Sequence, residues 1–537
     1  MSGQPTDLEE SQSDGARAGA VWLWLAAFVG ALALYVFTLA PGLVWQDGGE
    51  YQWTAARLTW PPAQGTVWSR PGEAVRVHPW FLVAARGLWW PRFWDYAYAA
   101  NLCSAISMAL AAANVVLLVD LMTRRRWAAV VAGLAFAVGH TIWTFAVMSE
   151  VLGWAAAFLS AECLCAWAWA SPAGASRRQA RWLLLLLFLN GVALSNHLMA
   201  AISLAVFGVW ILAEVIRRRA PWWVLPAGAG LWLVGGTLYW IVVGLEYVRT
   251  ASLAETLVSA TVGGFGHAAV NVSDLPALVE KSFLYVGLNY PTPLVFAALV
   301  GLVTLWRRKG GFPRVLVVLA LICFLWVARY DVPDQYSFFV PFYVAASVLI
   351  GVGVAAMRGR WGRWVAPVAV ALALLPVAVY AVLPQAAERA EFVFFKRELP
   401  YRDPYTYFLQ PWKRGDDGAR RFATEVLDAL PADAILLPDT TPAPPLKCLH
   451  DIEGRRPDVL IVDPYDVRFD DSLREYWPAR PEDGSPPPPP EAFARGRRIF
   501  IVSDVKGYKP LWVDAHGVVE PFGLIFEVKP RTPGEGS

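Results

Sequence analysis

Two carboxylates three residues apart, Asp47 and Glu50, follow directly on an apolar run, Val21 to Thr38, that is long enough to cross a bilayer. Pro41 and Gly42 stop that helix, and Gly48-Gly49 separates the two acids. Carboxylates near lipid cost free energy, which makes them candidates for function before anything else. A short helix beginning near Gln46 would put both acids on one face. A carboxylate at the membrane edge can take a proton from an incoming hydroxyl. An aspartate is ordinarily ionised, with a pKa of about 3.9, and partial burial raises it and makes it a better base. Such a base suits an electrophile tethered in the bilayer. A lipid-linked phosphosugar fits, since direct displacement by a hydroxyl at its anomeric carbon inverts the configuration. The departing lipid phosphate then needs positive charge or hydrogen-bond donors.

Candidates for that second role are Arg70, Arg76 and His78 in the first loop, His197 at a helix end, Arg329 beside Tyr330, and the stretch Lys396 to Arg402. Spacing does not choose among them. Arg397 and Arg402 read equally well as headgroup anchors flanking a span, His78 as the cap of a helix opening at Pro79, and Glu150 with His197 as a polar patch among helices. Asp331 and Asp334, around Pro333, read as loop and turn residues.

The elements that must position these groups are set by composition. The chain has 537 residues, 56% hydrophobic and only 17% charged, with 28 Trp and 18 Tyr, against about a quarter charged in an average soluble domain. These values describe a polytopic α-helical membrane protein with a soluble α/β domain attached. A formal net charge of +2 gives no basis for nucleic-acid binding. Cys103, Cys163, Cys165 and Cys323 lie in apolar runs as small buried hydrophobes, and Cys448 has no partner for a disulfide in the soluble part. No metal-ligand spacing of Cys and His occurs. The first apolar segment is too long, and lacks the small-residue cleavage site, for a signal peptide, so it is expected to stay as an anchor.

Residues 1–18 are expected to be a disordered cytoplasmic tail, 19–384 a transmembrane unit with an external loop at 40–95, and 385–537 an extracytoplasmic α/β domain. The external loop should hold two short interfacial helices, near Asp47 to Leu58 and near His78 to Trp90. Further apolar runs begin near Tyr96, Trp127, Val151, Trp182, Leu198, Pro221, Pro291, Pro313, Phe338 and Trp364, which makes about 11 transmembrane helices. Polar interruptions at Ser149-Glu150 and Ser195-Asn196-His197 divide two long apolar stretches. The basic residues Arg124 to Arg126, Arg177, Arg178, Arg181, Arg217 to Arg219, Arg307 to Lys309, Arg358, Arg360 and Arg363 fall in alternate loops. By the positive-inside rule that side is cytoplasmic, which places Asp47, Glu50, His78, Glu150, Asn196, His197, Asp331 and Asp334 outside. In the C-terminal part, Arg420 to Leu430 reads as an amphipathic helix. Ala434 to Pro438, Asp458 to Asp463 and Arg498 to Ser503 read as strands, with helical residues Pro445 to Ile452 between the first two. Ser485 to Pro490 is a polyproline spacer, and the domain has no phosphate-binding glycine loop.

The pattern Leu39-Ala-Pro-x-Leu-x-Trp-x-Asp-x-Gly-Glu50 with His78-Pro79 resembles the family that includes transmembrane protein 260, a protein O-mannosyltransferase. Met148-Ser-Glu-Val151, Asn196-His197, Tyr330-x-x-x-Asp334, and Ala434-Ile-Leu-Leu to Arg456-Pro-Asp-Val-Leu460 are similar to further parts of it. The resemblance implies a GT-C glycosyltransferase that uses a polyprenyl- or dolichyl-phosphate sugar, with a catalytic Asp in the first external loop. Carried over, Asp47 is the base and Glu50 its supporting partner. The usual His-Pro-Pro-Gly reads here His78-Pro-Trp-Phe81, behind an insertion rich in Trp, Arg and Pro, which bears on the choice of acceptor.

The expected activity is inverting transfer of a sugar, mannose first, from a polyprenyl phosphate to an acceptor hydroxyl on a protein or glycan outside the cytoplasm. Asp47 and Glu50 would be catalytic, and His78, Arg76, Glu150, Asn196, His197, Asp334 and Arg402 would bind substrate. No metal or other cofactor is demanded. The Ala/Arg/Trp-rich, Lys-poor composition suggests a bacterial cytoplasmic membrane. A transporter or lipid flippase would also place ionisable residues among helices, but it should show internal repeats and midplane charges. A non-catalytic envelope assembly protein would rely on an exposed apolar patch of its C-terminal domain.

Overall fold

A computed structural model of the chain describes residues 7–171, 179–265, 274–308, 311–357, 362–393, 397–468 and 471–531. Lys396, Arg177, Arg178, Lys309, Arg358 and Arg360 lie outside these ranges. The first helix, α1 (Asp7–Phe37), begins inside the segment expected to be a disordered tail. Leu, Ala, Val and Trp fill it almost without charge from Ala18 onward, and such a run satisfies its backbone only as a helix in lipid.

Short helices α2 (Gln46–Ala56) and α3 (Pro79–Trp89) occupy the first loop. There follow α4 (Tyr96–Thr123), α5 (Arg126–Ala137), α6 (His140–Ala146), α7 (Leu152–Ala170), α8 (Ala180–Asn196), α9 (Ala200–Ile216), α10 (Val224–Gly235), α11 (Thr237–Thr250) and α12 (Leu253–Thr261). The helical part closes with α13 (Leu275–Asn289), α14 (Ala297–Arg307), α15 (Gly311–Val327), α16 (Val340–Ala356) and α17 (Gly362–Arg389). Among the described residues five helices are long and apolar enough to span a bilayer, or up to eight if each bent pair is one span. The bent pairs are α5 with α6 (69°), α10 with α11 (70°), and α13 with Pro293–Arg307 (116°). Three shorter apolar helices, α8, α9 and α15, have 17 residues each. The protein is an integral membrane protein. Pro293 and Gly139 sit at two of the bends, where a missing N–H or a missing side chain lets the chain turn.

Small residues bring some helices into backbone contact. A Cβ on Gly301 of α14 would fall 1.9 Å from the Leu349 carbonyl oxygen, and one on Gly353 of α16 would fall 1.9 Å from that of Ala297. In lipid, where apolar burial gives little drive, such close packing holds helices together. The bundle has two distinct ends. At one, Arg308 donates to the Met122 carbonyl (3.2 Å) beside the basic run Arg124 to Arg126. At the other lie the first loop, the α6–α7 link, the α8–α9 turn and the α15–α16 link.

Residues 397–531 pack onto that second end around a five-stranded mixed sheet in the order β2-β1-β3-β5-β4. Strands β1 (Ile435–Leu437), β2 (Leu460–Ile461) and β3 (Ile499–Ile501) are parallel, and they fall where the apolar runs put them. The hairpin β4 (Gly517–Phe522) and β5 (Ile525–Pro530) was not among the expected strands. Helix α18 (Gly418–Ala429) lays Phe422, Val426 and Leu427 on the sheet. One buried cluster joins these residues to Leu43, Trp45, Tyr96 and Ala97 of the helical part, so the two parts share a core.

Candidate active site

Helix α2 carries both first-loop acids, and its position is fixed by buried polar contacts. Gln52, fully buried, accepts from the Val44 N–H (3.1 Å) and donates to the carbonyls of Gly42 (3.0 Å) and Ala97 (3.3 Å) and to Asn101 Oδ1 (3.0 Å). Asn101 of α4 donates to the Ala40 and Gly42 carbonyls, and its Oδ1 also accepts from the Ser149 N–H (2.9 Å). Ser149 in turn donates through Oγ to the Gly48 carbonyl. The two glycines between the acids allow this docking. A Cβ on Gly48 would lie 2.7 Å from Val44 Cγ2 and 3.1 Å from the Ser149 carbonyl oxygen, and one on Gly49 would lie 2.4 Å from the Val44 oxygen and 2.8 Å from Pro444 Cβ.

The acids do not share a role in this arrangement, although a common face was expected. Glu50 turns inward and takes a 2.5 Å ion pair from Arg70. Asp47 is exposed, and among the described residues it makes no hydrogen bond and no ion pair. Within its electrostatic reach are Tyr51, Arg76, Glu150 and Asp334, drawn from α2, the rest of the first loop, the α6–α7 link and the α15–α16 link. Burial and then the Asp47 charge push the Asp334 carboxyl up to about 6, with Ser337 as its hydrogen-bond donor (3.4 Å). Burial, Asp47 and Asp334 raise Glu150 well above the usual carboxylate range. Ser104 Oγ donates to the Glu150 carbonyl (3.0 Å) and accepts from its N–H (2.7 Å), which anchors the link. Arg76 is the cation of the group. Burial works against its charge, but Tyr465, Asp47 and Glu73 more than offset that and raise it.

His78, Asn196 and His197 form a second group adjoining the first. His78 Nδ1 donates to the Asn196 carbonyl (2.8 Å), and its ring stacks on His197 with centroids 5.1 Å apart and planes at 14°. It sits at the N-cap position of α3 without capping through its side chain. His197 Nδ1 accepts the Met199 N–H (3.1 Å), so in the neutral ring Nε2 carries the proton. Burial lowers His197 to about 4, and burial with His197 beside it lowers His78 well below its ordinary range, so both rings are neutral at pH 7. Asn196 also donates to the Val151 carbonyl (2.9 Å). Tyr51 meets His78 edge to face at 5.6 Å and so joins the two groups.

Arg402 belongs to a third group. It rests over the Tyr407 ring (5.2 Å), near the buried ion pair of Arg397 with Asp439 (2.5 Å). That pair reaches α2 only indirectly, through the Thr441 N–H on Asp439 Oδ1 and the Gln46 N–H on the Thr441 carbonyl (3.1 Å). The structure therefore gathers Asp47, Arg76, Glu150 and Asp334, sets His78, Asn196 and His197 beside them, pairs Glu50 with Arg70, and lays Arg402 over Tyr407. Tyr51, Gln52, Asn101 and Tyr465 were missed by the reading of the sequence, which had Ser149 as a polar interruption between helices. Only Asn101, an amide inside an apolar run, carried a signal that could have found it.

The arrangement can take a proton at Asp47, bring donors to a departing anion at Arg76 and His197, and hold Glu150 in its protonated form. Among proteins of known family, the model of the protein O-mannosyl-transferase TMEM260 N-terminal domain matches residues 77–219. That range contains His78, Glu150, Asn196 and His197 and begins after Asp47 and Arg76. No curated protein matches. Solved structures share the fold. ArnT from Cupriavidus metallidurans bound to undecaprenyl phosphate matches at 15% identity and a TM-score of 0.58, over 95% of this chain and 98% of that one. The oligosaccharyltransferase AglB from Archaeoglobus fulgidus, in complex with an inhibitory peptide and a dolichol-phosphate, matches at 12% identity and a TM-score of 0.51, over 97% of this chain and 75% of that one. The chain thus has the GT-C fold and is similar to the O-mannosyltransferase family, as the first-loop motif indicated.

Proposed function

We propose that the chain is an inverting glycosyltransferase that moves a sugar, mannose in the first instance, from a polyprenyl phosphate to an acceptor hydroxyl. The single observation that carries this reading is Asp47, exposed and, among the described residues, unengaged, within electrostatic reach of Glu150, Asp334 and Arg76. The acceptor hydroxyl gives its proton to Asp47 as its oxygen attacks the anomeric carbon. The bond from that carbon to the phosphate oxygen breaks, and the lipid phosphate leaves with its negative charge beside the Arg76 guanidinium and the His197 N–H. Glu50 acts through Arg70, which it holds against the first loop.

The lipid phosphates held by ArnT and AglB support a polyprenyl-phosphate donor, and the family match together with the peptide held by AglB supports a protein acceptor. The basic residues at the opposite end of the bundle support an extracytoplasmic site, in a bacterial cytoplasmic membrane, with residues 397–531 on the same outer side. The test is transfer from undecaprenyl-phosphate mannose, by full-length protein in nanodiscs, to hydroxyl-bearing envelope proteins. Asp47→Asn should remain folded and inactive. A fully active Asp47→Asn protein would remove the base, and activity lost in chelator and restored by a divalent ion would overturn the metal-free mechanism.

A further inference from the structure

The carboxyl ends of the three parallel strands all deliver their following residues to α2 or its surroundings. After β1 come Asp439 and Thr441, which reach Arg397 and the Gln46 N–H, and after β3 comes Tyr508, whose ring lies 4.3 Å from the Arg397 guanidinium. After β2 comes the turn Asp463 to Asp466. Asp463 Oδ1 accepts the N–H groups of Tyr465 (2.6 Å) and Asp466 (2.9 Å), which shapes the turn. Lys447 closes it from below with ion pairs to Asp463 (2.7 Å) and Asp466 (2.6 Å), and its ammonium lies 5.1 Å from the centre of the Trp53 ring on α2. Open α/β sheets place ligands at this edge of their strands. Here the edge faces an external helix instead of an empty crevice.

The turn's one protruding ring meets the reaction site. The Tyr465 hydroxyl accepts from Arg76 (3.2 Å), the Arg76 guanidinium lies over the Tyr465 ring at 4.6 Å, and Glu73 takes the other side of the guanidinium (3.2 Å). We infer that the α/β layer is a wall of the reaction site, with Tyr465 as the positioning residue that aims Arg76 at the phosphate of the lipid donor. This rests on the transferase reading above. Without Tyr465 the guanidinium loses a hydrogen-bond acceptor and the flat surface that fixes its plane. Because Arg76 meets the donor in the ground state as well as during transfer, the defect should fall on donor affinity before it falls on the chemical step.

The experiment uses the full chain in nanodiscs, with undecaprenyl phosphate as the binding probe and undecaprenyl-phosphate mannose for turnover. Tyr465→Phe should weaken probe binding and raise the donor KM by about tenfold, and Tyr465→Ala by roughly thirtyfold, with kcat changed less than about twofold. In an Arg76→Ala background, Tyr465→Phe should have no further effect. Asp47→Asn should bind the probe normally and fail to turn over. If Tyr465→Phe, which keeps the ring and the fold, binds and turns over like wild type while Asp47→Asn is inactive, the inference is wrong and the transferase reading stands. If Asp47→Asn is active, the transferase reading fails. Additive losses in the Arg76→Ala background would show that Tyr465 does not act through Arg76.

Discussion

Two groups of carboxylates flank helix α2, one reached through Tyr51 and the other through Trp53. In the second group Asp463 and Asp466 each pair with Lys447 within 2.7 Å, Asp463 and Lys447 are buried, and burial with the Asp463 charge still pushes Asp466 up to about 6. In the first, Asp47 raises both Glu150 and Asp334, and among the described residues none of the three acids has an ion pair. The paired group shapes a turn. The other holds acids whose charges oppose each other with no ion pair to answer them, a state that persists only where the surrounding fold imposes it. The contrast separates scaffold from chemistry among residues of identical type.

The largest expected effect tests the crowded group. Asp47→Asn should lower turnover by about a thousandfold with an unchanged melting temperature, and loss of stability instead would make Asp47 structural. The mirror experiment is Lys447→Met, which strands two carboxylates. It should cost about 3 kcal/mol or more in thermal unfolding, with whatever protein stays folded still competent in chemistry. A stable Lys447→Met protein would erase the contrast. Asn101→Ala removes the amide that fixes α2 to the α6–α7 link and should cost about 2 kcal/mol, with a parallel loss of turnover as Asp47 shifts against Glu150.

The smallest effect concerns pH. Asp334 holds its proton up to about 6 when folded, whereas an unfolded aspartate loses it near 3.9. Its favourable contribution is therefore present at low pH and is lost as pH rises from about 4 to 6. Asp334→Asn cannot ionise, so its melting temperature should fall less across that window, a difference of about 1 kcal/mol after screening. Parallel curves would mean that Asp334 is not crowded.

Much of the fold was legible because lipid demands long apolar runs and the interruptions between them are polar. The break at Ser149-Glu150 falls between helices as read, the one at Ser195 to His197 takes in the end of α8, and α2, α3 and three of the five strands sit where pattern put them. The bends were not legible, since a 70° turn between α10 and α11 leaves hydropathy unchanged. Nor was the hairpin of β4 and β5, whose alternation is broken by Pro521 and by charged residues on the exposed side. The first-loop acids announced themselves by depth. Their different duties did not, because Arg70 and Arg76 are both arginines in one loop and only the fold assigns one to Glu50 and the other toward Asp47. Tyr465 was invisible since its partner lies nearly 400 positions earlier in the chain, at a sequence separation of 389.

The contact of Gly301 with Gly353 has a further consequence for Asp334, which stands at the other end of the same rod, roughly 30 Å away along the helix. Two bare backbones in contact cannot yield as side chains do, so this crossing behaves as a fulcrum. A single methyl group added there would tilt α16 as a lever and displace the acid at its tip. Selectivity could then drift through changes near the opposite leaflet, far from any sugar.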